Sequence, residues 1–107
     1  MTELEIKKIQ EIADVLGKEE ILNQLSEESA ELIQSVMKFH RSKNGLTPKT
    51  EEEVMNNLFE ELADVLLNIK QVLYLFKDCD IKNKIEEIQS YKADRWWRRT
   101  FISQEEN

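Results

Sequence analysis

In 107 residues the sequence has one cysteine, one histidine, one proline and two glycines. With Cys79 alone, neither an intramolecular disulfide nor a cysteine-rich zinc site can be assembled, which points to a reducing, cytoplasmic setting. The shortage of glycine and proline withholds the turn residues that multi-stranded β architectures need. Long apolar runs are missing too. No stretch reaches the ~18 residues of a membrane helix, and the acidic start Met1-Thr2-Glu3-Leu4-Glu5 has no apolar leader segment. Membrane insertion and secretion are therefore not expected. Positive charge is also in short supply, with 15 bases against 22 acids and a net charge of −7. A nucleic-acid partner would need a basic face, which this balance opposes.

What remains is rich in helix formers, 35% charged and 40% hydrophobic, with eight aromatics to seed a core. The length suits one domain over residues 1–107. Apolar positions recur at helical spacing in four stretches. Leu4, Ile6, Ile9, Ile12, Ala13 and Leu16 mark a first helix, which Gly17 ends as a glycine just past its C-cap. Ile21, Leu22, Leu25, Ser29, Leu32, Ile33, Val36 and His40 keep one face of a long second helix up to Asn44-Gly45. Thr50-Glu51-Glu52-Glu53 is a capping box that opens a third helix, whose apolar face runs from Val54 to Phe76. Asp80 is placed to cap a fourth helix through Ile81, Ile85 and Ile88 toward Trp96-Trp97, and the tail over 102–107 is expected to fray. The short gap over about residues 42–49 makes the two long helices an antiparallel pair. The expected class is all-α, a four-helix bundle-like domain with two long antiparallel helices. Apolar faces about five to seven turns long exceed what one such chain hides, so oligomerisation is expected to complete the bundle, as a dimer in preference to a tetramer.

The acids are not evenly spread. Residues 1–40 carry nine acids and four bases and residues 51–64 carry six acids and no base, whereas residues 41–50 and 92–99 are each +3. In the two acidic blocks one word recurs at a displacement of 33 residues, as Glu27-Glu28-Ser29-Ala30-Glu31 and Glu60-Glu61-Leu62-Ala63-Asp64. At about 100° per residue, Glu28 and Glu31 share one margin of their apolar face and Glu61 and Asp64 share the equivalent margin, while Glu27 and Glu60 point to water. Facing residues in an antiparallel hairpin have numbers with a constant total. The pairs Glu28/Asp64 and Glu31/Glu61 share the total 92, centred on Leu46 in the connection, so all four carboxylates should meet at one level. Four clustered carboxylates raise one another's pKa unless a cation sits among them. An all-oxygen set suits Mg²⁺, or Mn²⁺, rather than zinc.

Glu27-Glu28-x-x-Glu31 followed by Glu61-x-x-Asp64 resembles the MazG-like members of the all-α nucleotide pyrophosphohydrolase superfamily, over about residues 20–99. The resemblance implies Mg²⁺-dependent hydrolysis of a nucleoside triphosphate between its α and β phosphates, giving the monophosphate and pyrophosphate, in house-cleaning or nucleotide pool control. It makes Glu28, Glu31, Glu61 and Asp64 the metal ligands and catalytic carboxylates, with one of the glutamates a candidate base acting through water. It also implies a homodimer. Lys92-x-x-Arg95, in a +3 block with Arg98 and Arg99, resembles the Lys-x-x-Arg element that follows the second acidic motif in this family and is expected to clamp the phosphates. Asn68, one turn beyond Asp64, and Ser35, its counterpart on the earlier helix, are candidates to touch substrate or an ordered water. Trp96 and Trp97 point about 100° apart, so one is expected to pack and the other, with Trp96 the candidate, to stack on a base. His40 is read as a core or margin residue, and Cys79 as a structural thiol. Two further readings share these residues: a phosphoribosyl-ATP pyrophosphohydrolase on the same scaffold, and a non-catalytic helical module whose acids bind a structural metal or a basic partner.

Overall fold

The computed structural model describes residues 1–46 and 48–102. Over these residues the chain is all-helical, with α1 (Glu3–Lys43), α2 (Glu51–Leu75) and α3 (Ile81–Phe101), and a single 3-10 turn at Lys77–Cys79. Among the described residues there is no strand, and no helix is long and apolar enough to cross a membrane. The chain divides into two compact units, Met1–Leu75 and Phe76–Asn107.

The first helix starts on a capping box that periodicity alone passes over. The Glu5 N–H donates to Thr2 Oγ1 at 3.1 Å and the Thr2 N–H donates back to Glu5 Oε1 at 3.0 Å. The helix is broken once, at Gly17, where φ is 85° and ψ is 170°, a region essentially reserved for glycine. The break separates two helices, residues 3–16 and 18–43, as the apolar periodicity and Gly17 predict, with that one residue as the whole connection between them. Before the break, the chain lies along α2. Gln71 Nε2 donates to the Ile9 carbonyl at 3.0 Å, and the Tyr74 hydroxyl donates to Asp14 Oδ2 at 2.7 Å. Partners ascend together, so residues 3–16 run parallel to the end of α2.

Residues 18–43 run antiparallel to α2, and the turn between them is tightly specified. Gly45 at φ 70° donates to the Ser42 carbonyl and Leu46 donates to the Arg41 carbonyl, a Schellman motif that satisfies the last exposed carbonyls of α1. Thr50 and Glu53 exchange hydrogen bonds of 3.2 Å to open α2, as the capping box predicts. Lys43 Nζ meets Glu51 Oε1 at 2.7 Å and ties the two helix ends.

The apolar core is small. Among the described residues Ala13, Ile21 and Val54 are the buried apolar ones, and Ser35, Asn68 and Gln71 are buried as well. In the second unit Trp97 packs on Phe101 with ring centroids 5.4 Å apart, while Trp96 is 70% exposed. Two local expectations change. Asp80 precedes α3 in a left-handed conformation (φ 54°) and makes no side-chain cap. Its carboxylate instead accepts from Asn83 Nδ2 at 2.8 Å, because that backbone turns the side chain away from the free N–H groups. His40 is exposed, its ring 6.0 Å from that of Phe39, since the apolar stripe of α1 ends a turn earlier. Cys79 is exposed in the 3-10 turn. Beyond Ile102, the tail expected to fray lies outside the described residues.

Space is open around Gly17, with nothing within 4 Å of where a Cβ would stand. Gly17→Ala should therefore cost backbone strain alone, about 1–3 kcal/mol, read as a lower midpoint in chemical denaturation with an unchanged slope.

Candidate metal centre

The acidic words fall where the helical phase puts them. Glu28 and Glu31 stand one turn apart on α1, Glu61 and Asp64 one turn apart on α2, and Glu27 and Glu60 are exposed to water. One carboxylate oxygen from each of Glu28, Glu31 and Glu61 lies within 4.8 Å of the other two. Asp64 stands outside that set. It lines a cavity with Glu28, and its charge acts on both Glu28 and Glu61.

The cluster is poorly satisfied as it stands. Glu28 Oε2 and Glu61 Oε2 are both shielded from solvent and neither receives a hydrogen bond. Desolvation pushes the Glu28 carboxyl above its ordinary value, and the charges of Glu31 and Asp64 add to the effect. Glu61 is likewise pushed up, first by desolvation, then by the charge of Glu31 and a hydrogen bond with it. An unpaired, shielded carboxylate oxygen is costly, and a proton, a water or a cation relieves it. Oxygen ligands about 2.1 Å from a hard divalent ion lie at most about 4.2 Å apart, so small side-chain movements bring the three glutamates onto one Mg²⁺-sized ion. The donor set is carboxylate throughout, which suits Mg²⁺ or Mn²⁺. Glu28, Glu31 and Glu61 could hold such an ion, with Asp64 as the adjacent fourth carboxylate.

The other expected site residues divide between the two units. Asn68 is 5% exposed and donates from Nδ2 to Gln71 Oε1 at 3.0 Å. Ser35 is 1% exposed, and its Oγ has no partner. Lys92, Arg95 and Trp96 stand exposed on α3, where the Arg95 guanidinium lies 5.8 Å from the Tyr91 ring and Arg98 pairs with Asp94 at 3.1 Å. Sequence reasoning passed over Gln71 and Gln24, which line the cavity beside Glu28 and Asp64. A signal for Gln71 was present: Asp64, Asn68 and Gln71 form a polar stripe at helical spacing in an otherwise apolar helix.

Compared with known proteins, the chain matches no family model, and no curated protein or solved structure matches it significantly. The functional reading accordingly rests on the residues and their chemistry.

The raised carboxyls have a thermodynamic consequence. Above the ordinary glutamate value of 4.5, the folded chain holds protons on Glu28 and Glu61 more tightly than the unfolded chain does. Stability contributed by these groups therefore grows as pH falls toward that range and is lost as pH rises through their folded values. Without divalent cations, the melting temperature should rise as the pH is lowered from neutrality toward the ordinary glutamate range, and Mg²⁺ or Mn²⁺ should stabilise more at the higher pH. Melts indifferent to both variables would count against the cluster as a cation site.

Proposed function

We propose that this protein is a MazG-like, Mg²⁺-dependent nucleoside triphosphate pyrophosphohydrolase that converts a (deoxy)nucleoside triphosphate to the monophosphate and pyrophosphate. The observation that carries the reading is the pair of shielded, unpartnered oxygens on Glu28 and Glu61, in a three-glutamate cluster formed by the repeated acidic word. Glu28, Glu31 and Glu61 would hold the ion, with Asp64 beside them. When bound, it supplies charge for the polyphosphate and lowers the pKa of water. A glutamate of the cluster would take a proton from water as the water oxygen bonds to the α-phosphorus, the bond from that phosphorus to the α–β bridging oxygen breaks, and pyrophosphate leaves with the bonding pair. The role is removal of unwanted nucleotides or control of the pool.

The same reading includes a homodimer. Ile33 is 65% exposed, Phe59 56% and Leu66 56%, with Leu62, Ile69 and Met37 continuing two apolar stripes on α1 and α2. Ile33 follows Glu31 by two residues and Leu66 follows Asp64 by two, so each lies about 200° around its helix from the carboxylate margin. Both stripes turn away from the acids on their own helices and are exposed. So small an apolar core needs them covered, and a second copy offers matching stripes, turning two hairpins into a four-helix bundle.

Two measurements check these proposals. Purified protein with Mg²⁺ should release pyrophosphate from at least one member of a triphosphate panel, and Glu28→Gln or Glu61→Gln should lower the rate by about 10²–10⁴-fold while raising the stability of the cation-free protein. No pyrophosphate from any triphosphate would end the enzymatic reading. In sedimentation, the chain should run as a dimer and Leu66→Glu should shift it toward a monomer.

A further inference from the structure

The seam between α1 and α2 is lined by every seventh residue of each helix, Ile21, Glu28 and Ser35 on one and Val54, Glu61 and Asn68 on the other, all buried or half-buried. Glu61 is level with Glu31, so the two rows interlock. Along the seam Glu61 falls between Glu28 on one side and Ser35 on the other, about 4.5 Å and about 6 Å away in axial rise. Among the described residues, these three consecutive side chains carry the buried oxygens that lack a hydrogen-bond partner: Glu28 Oε2, Glu61 Oε2 and Ser35 Oγ. We infer that Ser35 is a positioning residue of the metal centre, whose hydroxyl donates to the Glu61 carboxylate when the glutamates hold an ion; the inference rests on the pyrophosphohydrolase reading through its metal site.

Donor and acceptor match. With an ion bound both glutamates are carboxylates and can only accept, whereas Ser35 brings an O–H. At 1% exposure that hydroxyl is closed to bulk water. A helical serine ordinarily donates to the carbonyl four residues back. Ser26 and Thr100 do so, to Leu22 at 3.3 Å and to Trp96 at 2.9 Å, but Ser35 makes no such bond to Glu31. Direction agrees as well. Side chains on a helix lean toward its N-terminus, so in this antiparallel pair Ser35 leans toward the level of Glu61 and Glu61 toward the level of Ser35. Glu28 leans the other way, toward Gln24, and starts two turns from Ser35, about 10 Å along α1. The acceptor is therefore Glu61. A carboxylate that gives one oxygen to a metal is oriented by a donor on the other, which is the part the Ser35 hydroxyl plays.

Titration of the full chain with Mg²⁺ tests this without requiring turnover, with the side-chain carboxyl carbons of the glutamates followed by NMR. Ser35→Ala should weaken Mg²⁺ binding about 10–100-fold. It should also raise the melting temperature of the cation-free protein, because an unpaired hydroxyl leaves the seam. At saturating Mg²⁺ the Glu61 carboxyl signal should differ between Ser35→Ala and the unsubstituted chain, and the Glu28 signal should coincide in the two. A serine with a structural role only would change the melting temperature and leave both the affinity and the Glu61 signal unmoved, and that result overturns the inference. A shift at Glu28 in place of Glu61 overturns it too. If the unsubstituted chain binds no Mg²⁺, the metal site and this role for Ser35 fall together. Failure of the enzymatic reading is seen separately, as the absence of pyrophosphate release from a chain that does bind Mg²⁺.

Discussion

The register between α1 and α2 is the constraint on which the candidate site depends. A slip of one residue on either helix would rotate its acids about 100° away from those of its partner. Three local devices hold it. The Schellman motif at Asn44–Leu46 ends α1, the Thr50–Glu53 capping box starts α2, and Lys43 pairs with Glu51 across the opening. With both helix ends set, residues equidistant from the turn must face one another. Glu31 and Glu61 are such a pair, and Glu28 joins them from the next turn. The repulsion among them is opposed by the backbone and packing of the hairpin, so the carboxylates are held together at the expense of stability.

The interior shows the same bias toward chemistry over packing. Among the described residues, buried Ser35, Asn68 and Gln71 equal the buried apolar residues in number, and two of the three sit on the polar stripe that begins at Asp64. A buried amide is tolerable only when hydrogen-bonded, and the relay to the Ile9 carbonyl meets that condition by recruiting the N-terminal segment. That segment reaches its place through the reversal at Gly17, where the backbone adopts a conformation that a side chain would penalise. Position 17 therefore influences the cavity even though it does not line it. Meanwhile Ile33 and Leu66 remain exposed.

Much of this is legible in residue order alone because helices have a fixed period. The acidic words, their shared margins and their common level follow from 3.6 residues per turn and a short connection. The Thr50–Glu53 box and the break at Gly17 are likewise local, each set by the chemistry of a few adjacent residues. Legibility fails where partners are distant in sequence. Gln71 and Ile9 are joined across 62 residues, and Tyr74 and Asp14 across 60, with no periodic signal linking either pair. Asp80 shows a smaller failure, because the helix-capping preference of aspartate does not reveal that its backbone turns left-handed.

Residue order by itself determined the all-helical class, the two acidic words and the face each carboxylate occupies, since all three depend on interactions within about four residues. Tertiary structure decided which oxygens are shielded and unpartnered, and that Glu28, Glu31 and Glu61 converge while Asp64 turns toward the cavity. It also decided that the N-terminal segment closes over Asn68 and Gln71. The physical reason is that desolvation and hydrogen-bond satisfaction belong to the packed surroundings of an atom, and no periodicity in the chain encodes which distant segment will supply them.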